Sequence, residues 1–146
     1  MKIVIATDGS EYSKMMIDHI VSRPWADDDQ FVIVTVAQDQ AGAVLAGMDL
    51  GTVDLPEERV HAKNILDKDF NRLKEAFPDH SIEAKVLSGF AAETICKFAA
   101  ESGADMIVVG SKGRSGLARL VLGSVAEAVL KNAPCSVKVV KQKSGS

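Results

Sequence analysis

An apolar run passes directly into a glycine-rich turn in the stretch Ala104-Asp105-Met106-Ile107-Val108-Val109-Gly110-Ser111-Lys112-Gly113-Arg114-Ser115-Gly116. Further along, Gly123-Ser124 precedes the helical pattern Val125-Ala126-Glu127-Ala128-Val129-Leu130. This order predicts a buried strand, a turn and the start of a helix. Glycine permits positive φ and close approach of the backbone to a ligand, and the first turn of a helix presents N–H groups with partial positive charge. The segment therefore predicts a binding site for an anion such as phosphate.

Runs of β-branched residues alternate with helical patterns along the whole chain. The five predicted strands are Lys2–Thr7, Gln30–Ala37, Ser81–Leu87, Asp105–Gly110 and Ser136–Lys141. The predicted helices are one capped by Ser10, one from Pro56 that Pro78 stops, one over Ala91–Ser102 ended by Gly103, and one ending near Asn132. This alternation predicts an α/β fold with an open, doubly wound five-stranded parallel sheet, order 3-2-1-4-5, and helices on both faces. We predict one domain over residues 1–142 and a disordered tail over 143–146.

The composition limits the possible partners. With 146 residues and 47% apolar content, the chain has the size of one domain with its own core. A net charge of −3 and a pI near 5.6 argue against a nucleic-acid-binding surface. No apolar run reaches the roughly 20 residues that span a bilayer, and the start of the chain reaches Asp8 too soon for a signal peptide. We therefore expect a cytoplasmic protein that binds neither nucleic acid nor membrane.

Several kinds of chemical site have no support in the sequence. Cys96 and Cys135 lack a Cys-x-x-Cys pattern, so buried reduced thiols are expected. The three histidines, His19, His61 and His80, lack the spacing of metal ligands. The chain contains no Walker A loop, no Gly-x-Gly-x-x-Gly after the first strand and no Gly-x-Ser-x-Gly elbow. We predict no catalytic residue and no protein-held metal.

The predicted sheet order brings two distant segments to one crevice. In such a sheet, ligands bind beyond the carboxyl ends of the strands where the strand order reverses, here between the first and fourth strands. Phosphate would lie against the amides of Gly113, Gly123 and Ser124, with Lys112 or Arg114 supplying positive charge. A carboxylate at Asp8 suits ribose hydroxyls, and the Val36 backbone could meet adenine. Alternatively, Asp8 is only a turn former or helix N-cap. Together these features predict a nucleotide site.

A long connection between the second strand and the following helix, Gln38 to Leu55, is unusual for a small domain. Connections of this length are often lids or binding segments. Its apolar content leaves two alternatives open, namely a lid or partner contact and an ordinary short helix packed on the surface.

The spacing Gly110-x2-Gly113-x9-Gly123-Ser124 resembles the nucleotide signature of the universal stress protein family. The resemblance extends from the opening Ile3-Val4-Ile5-Ala6-Thr7-Asp8-Gly9-Ser10 to the closing Ala133-Pro134-Cys135-Ser136-Val137-Lys138-Val139-Val140. It implies an adenine nucleotide alpha-hydrolase-like fold that binds ATP, or alternatively AMP or ADP. Magnesium or manganese would accompany the phosphates, without a dedicated protein cage. The family also implies a homodimer in which the last strand, residues 136–141, pairs across a two-fold axis.

The resemblance also assigns residue roles. Asp8 would contact ribose, the backbones of Ala6, Thr7 and Val36 would approach adenine, and Val109 and Gly110 would line the ribose side. The phosphates would be held by Gly113, Gly123, Ser124 and Val125. Ala6 departs from the proline often found at its position, and Lys112 from the common histidine. Neither change removes a donor that the site needs.

These features predict an ATP-binding regulatory or stress-response module with slow or no hydrolysis. Two alternatives remain open. One is an enzyme of adenylyl or phosphoryl transfer, in which Ser111, Lys112 and Arg114 would stabilise transition-state charge. The other is a dimeric interaction protein that holds AMP or no nucleotide. The fold alone does not choose among them.

Overall fold

Strands and helices alternate along the chain, as the sequence predicts. The computed structural model describes residues 1–37, 56–113 and 122–141. In chain order the elements are β1 (Lys2–Ala6), α1 (Glu11–Val21), β2 (Gln30–Ala37), α2 (Pro56–Ala76), β3 (Ser81–Ser88), α3 (Ala91–Ser102), β4 (Met106–Gly110), α4 (Ser124–Asn132) and β5 (Ser136–Val140). Each predicted strand agrees with the observed one to within a residue at either end.

The five strands form one parallel sheet in the order β3-β2-β1-β4-β5, which confirms the predicted order. The register places Ile3 beside Phe31 of β2 and beside Met106 of β4. At the far edge, Gly110 of β4 pairs with Val140 of β5. The strand order reverses between β1 and β4, because the chain leaves β1 toward β2 and returns on the other side.

Helices cover both faces of the sheet and bury its central strands. Ile3, Val4 and Ile5 of β1 are fully buried, so each contributes about 1.5–3 kcal/mol of transfer free energy. Ile3 and Ile5 pack with the apolar residues of α1 and α2, whereas Val4 packs with those of α3 and α4. The period-2 alternation of side chains along a strand produces this division. It explains why the strands are near-continuous apolar runs.

The helix ends follow the predicted signals. The Ser10 hydroxyl oxygen accepts a hydrogen bond from the Ser13 N–H at 3.2 Å and caps α1. Gly103 ends α3 in the left-handed conformation, with φ 68°. The last hydrogen bond of the long helix α2 runs from Phe77 N to Leu73 O, just before Pro78, which has no N–H to donate.

Several expectations concern parts of the chain outside the described residues. These are the connection from Gln38 to Leu55, Arg114 and Ser115 of the glycine-rich segment, and the tail over 143–146. Within the described ranges, no helix has both the length and the apolar character to cross a membrane.

Candidate functional site

A cleft of about 460 Å³ opens at the carboxyl ends of β1 and β4. The chain turns to one face of the sheet after β1 and to the other face after β4, so the two connections diverge and leave space between them. All predicted site residues within the described ranges line this cleft. They are Ala6, Thr7, Asp8, Val36, Val109, Gly110, Lys112, Gly113, Gly123, Ser124 and Val125. The twelfth, Arg114, lies outside the described residues.

Asp8 divides its two carboxylate oxygens between two tasks. Oδ1 accepts hydrogen bonds from the Ser10 N–H at 2.9 Å and from the Ser13 hydroxyl at 2.7 Å. This oxygen builds the turn that leads into α1, as the structural alternative for Asp8 predicts. Oδ2 lies beside the glycine segment, only 2.9 Å from where a Cβ atom on Gly113 would stand. Two segments about 100 residues apart in the chain therefore meet, as the crevice hypothesis requires.

The three signature glycines do not need positive φ, which corrects part of the reasoning from sequence. Among the described residues, positive φ occurs at Gly9, Gly89 and Gly103. A Cβ atom at each signature position would come so close to a neighbouring atom that the neighbour would have to shift. A Cβ on Gly110 would lie 3.2 Å from the Tyr12 carbonyl oxygen, and one on Gly123 would lie 3.0 Å from the Lys112 Cα atom. Close backbone approach, and not backbone conformation, sets the requirement.

Backbone hydrogen bonds fix the path of the glycine segment. Ser111 N donates to the Val140 carbonyl of β5 at 3.0 Å, and Gly123 N donates to the Ser111 carbonyl at 2.6 Å. The Ser111 side chain is buried, so this residue holds the segment in place. The prediction that the Gly123 amide meets phosphate is therefore wrong, because this N–H is already donated to Ser111. The N–H groups at the cleft belong to the first turn of α4, at Ser124 and Val125.

The start of α4 has the electrostatic character of an anion site. Gly123 is the N-cap residue, and no side chain in the described part of the chain caps it. The partial positive charge at this helix end therefore faces the cleft. Lys112 adds a full positive charge, with its Nζ atom 5.7 Å from the centre of the Tyr12 ring. Both features favour a negatively charged group beside Gly113 and Ser124.

The cleft has further lining residues that the sequence reasoning missed. They are Ser13, Val34, Ala37, Glu58, His61, Ala62, Ala91, Ile95 and Ala126. Glu58 and His61 are the polar members from the start of α2. One signal was available, because a crossover helix after β2 has to begin at the carboxyl end of the sheet, where the cleft lies.

A polar contact beneath the cleft ties α2 to β1. The Thr7 hydroxyl donates to Asp69 Oδ2 at 2.6 Å. Partial burial raises the pKa of the Asp69 carboxyl above its ordinary value of 3.8, although the hydrogen bond from Thr7 acts in the opposite direction. The Thr7 backbone N–H donates to the Val34 carbonyl of β2 at 3.0 Å, so this residue is fixed from both sides.

The cysteines and histidines form no cluster of the kind that holds a metal. Within the described ranges, no group of three or more His, Cys, Asp or Glu residues could hold an ion. Cys96 is buried, Cys135 is half-buried, and both are free thiols. Burial raises the pKa of each thiol. The expectation of two buried thiols is therefore wrong for Cys135, which directly precedes the edge strand β5.

The sheet order and the cleft at its reversal point define a doubly wound α/β protein with a cleft between β1 and β4, the place where ligands bind in sheets of this kind. The model of the universal stress protein family matches residues 1–141. The chain belongs to this family. Universal stress protein MJ0531 of Methanocaldococcus jannaschii is 35% identical over 144 residues, covering 97% of this chain and 82% of that protein.

Solved structures of relatives share the fold over their full length. The structure of MJ0577, a universal stress protein of the same organism, superposes with a TM-score of 0.81 at 26% identity. The match covers 99% of this chain and 97% of that one. A universal stress protein solved in complex with cAMP has a TM-score of 0.68 at 26% identity, with 98% of each chain covered.

Proposed function

We propose that this chain binds ATP in the cleft between β1 and β4 and acts as a nucleotide-dependent regulatory module of the stress response, with slow or no hydrolysis. The observation that carries the proposal is the meeting of Asp8 Oδ2 with the Gly113 backbone. One wall of the cleft thereby presents a carboxylate, and the adjoining wall presents helix N–H groups and Lys112. A nucleotide has the matching arrangement, because its sugar hydroxyls donate hydrogen bonds and its phosphates are anionic.

The proposed ligand runs along the cleft from base to phosphate. Adenine would lie at the end of β2 and β1, against the backbones of Ala6, Thr7 and Val36. The ribose would lie between Asp8 and the pair Val109 and Gly110. The phosphates would extend to Gly113, Gly123, Ser124 and Val125, with Lys112 and Arg114 nearby. A magnesium ion would accompany the phosphates and would be held mainly by their oxygens, and manganese could replace it.

Two further observations support an adenine nucleotide. A relative with 26% identity and the same fold was solved with cAMP, so a member of this family accommodates that nucleotide. The cleft volume of about 460 Å³ also falls within the range of small-molecule sites. AMP and ADP are the alternatives to ATP, and they would leave part of the phosphate side unused.

Slow hydrolysis is expected from the residues on the phosphate side. Among the described residues there, Gly113 and Ser124 provide hydrogen-bond donors but carry no carboxylate or imidazole that could act as a general base. We propose the cytoplasm as the setting of this module, because ATP is a metabolite of that compartment.

We also propose a homodimer formed through β5. This strand is at the edge of the sheet. Because Val140 directs its carbonyl to Ser111 inside the molecule, the neighbouring Val139 directs its N–H and carbonyl outward, along the free edge. Such an edge favours pairing with a second copy around a two-fold axis.

The nucleotide proposal is tested by direct identification of the ligand. We expect mass spectrometry of the denatured protein, or calorimetry with ATP, ADP, AMP and cAMP, to show an adenine nucleotide bound with ATP preferred. Gly113→Val should reduce ATP affinity at least tenfold, because its side chain would occupy the space beside Asp8 Oδ2.

Gly103→Ala is the matched control for this experiment. No atom lies within 4 Å of a Cβ on Gly103, but its φ of +68° disfavours a side chain. This variant should lose about 1–2 kcal/mol of stability and keep its ATP affinity. Equal ATP affinity in Gly113→Val and the unaltered protein would contradict the assigned site.

A further inference from the structure

The first two turns of α2 form a wall of the cleft on the side away from the glycine segment. Glu58, His61 and Ala62 line the cleft from this helix. α2 packs over β2 and β3, whereas the glycine segment follows β4, on the other side of β1. We propose that Glu58 and His61 bind the nucleoside part of the ligand and determine which nucleoside the cleft accepts. This inference rests on the proposed nucleotide function and names residues outside the glycine signature.

Contacts along one face of α2 fix the position of Glu58 and His61 along the helix axis, relative to the end of β1. Asp69 accepts the hydrogen bond from Thr7 at the end of β1. One turn earlier in α2, Ile65 packs on Gly9, in the turn that follows β1. A Cβ atom on Gly9 would lie 2.9 Å from the Ile65 Cδ1 atom. His61 precedes Ile65 by four residues, on the same face and about 6 Å further along the axis. Its ring therefore lies beyond the Asp8-Gly9 turn, at the mouth of the cleft.

A hydrogen bond on the opposite side of α2 fixes the rotation of the helix about its own axis. Arg59 Nη1 donates to the Ser88 hydroxyl at the end of β3, at 3.0 Å. Glu58 and His61 are three residues apart and lie on a common face, which is turned away from this contact and toward the cleft. The position of both side chains thus follows from contacts on two sides of the helix.

The distribution of charge assigns the nucleoside to this wall. Glu58 brings a carboxylate to the α2 side of the cleft, whereas Lys112 and the start of α4 bring positive charge to the side of the glycine segment. Phosphates are repelled by carboxylates and attracted by the helix end, so they extend toward α4. The Glu58 carboxylate is then placed to accept from a donor of the nucleoside, namely the adenine amino group or a ribose hydroxyl. The His61 ring supplies a contact surface beside it.

The test compares variants of the full chain by calorimetry with ATP, ADP and AMP. Glu58→Ala and His61→Ala should each weaken all three nucleotides by the same factor, about five- to tenfold, because they remove a nucleoside contact. The ratio of ATP to AMP affinity should stay unchanged. Lys112→Ala should instead lower that ratio. Lys63→Ala, an exposed change on the same helix, should alter neither value.

ITP and 2′-dATP identify the group that Glu58 recognises. If it is the adenine amino group, the unaltered protein should prefer ATP over ITP and Glu58→Ala should remove that preference. If it is the 2′-hydroxyl, the same holds for ATP over 2′-dATP. Retention of both preferences in Glu58→Ala, or unchanged affinity in both α2 variants, would overturn the inference while the proposed function stands. Absence of nucleotide binding by the unaltered protein would instead refute the proposed function.

Discussion

Asp69 brings an ionisable group into the packed region between α2 and β1. Burial raises the pKa of its carboxyl, so the charged form is less favourable in the folded chain than in the unfolded one. The charged carboxylate therefore lowers the free energy of unfolding. This loss of stability is absent below the ordinary pKa of 3.8 and is fully present above the folded-state pKa.

We therefore expect Asp69→Asn to be more stable than the unaltered protein at pH 7 and to lose that advantage as the pH approaches 3.8. The amide retains an oxygen that accepts from the Thr7 hydroxyl and carries no charge. Denaturant unfolding at several pH values measures the difference, with the exposed Asp67→Asn as the control. A stability difference that does not change with pH would contradict the expectation.

At the scale of single residues, the sequence predicts which residues meet but not how each atom is used. The strand order was enough to bring Asp8 and Gly113 to one crevice. It could not show that Asp8 Oδ1 is engaged by Ser10 and Ser13, because both alternatives for Asp8 were compatible with the local sequence. The reason for the glycine at Gly123 was also hidden, since it depends on the position of Lys112, which only the fold defines.

Among the elements, α1 offers a direct test of a sequence signal. Ser10→Ala removes the oxygen that accepts from the Ser13 N–H. We expect a loss of about 1 kcal/mol, seen as a decrease in Tm of roughly 2–4 °C. ATP affinity should change by less than twofold, because the buried residues Met16, Ile17 and Ile20 hold α1 on the sheet.

Thermal unfolding followed by circular dichroism measures this effect, and the exposed Ser81→Ala on β3 provides the control. A Tm equal to that of the unaltered protein would show that the cap contributes nothing measurable to the stability of α1.

Strand and helix bounds could be predicted because they depend on local signals, namely β-branched runs, Pro78, Gly103 and the Ser10 cap. The wall formed by Glu58 and His61 could not. Both are exposed polar residues without a motif, and their place at the cleft follows from the packing of α2 on remote parts of the chain, through Ile65 on Gly9 and Asp69 on Thr7.

For the whole molecule, the test concerns the proposed pairing through β5. Val139→Pro removes an outward N–H and leaves inward bonds such as that from Ser111 to Val140 in place. We expect sedimentation to show two associated chains for the unaltered protein and single chains for this variant. Val139→Ala loses the same side-chain packing but keeps the N–H, so it should remain associated. Single chains in the unaltered protein would refute the dimer.

One short series of backbone bonds has a consequence for the molecule as a whole. Val140 in the outermost strand accepts from Ser111, and Ser111 in turn accepts from Gly123 at the entrance of α4. The start of α4, which would bind a ligand, and the edge strand β5, which would pair with a second copy, are thus connected through only two hydrogen bonds. A movement at one of these two places must lengthen one of the hydrogen bonds or displace the other place as well.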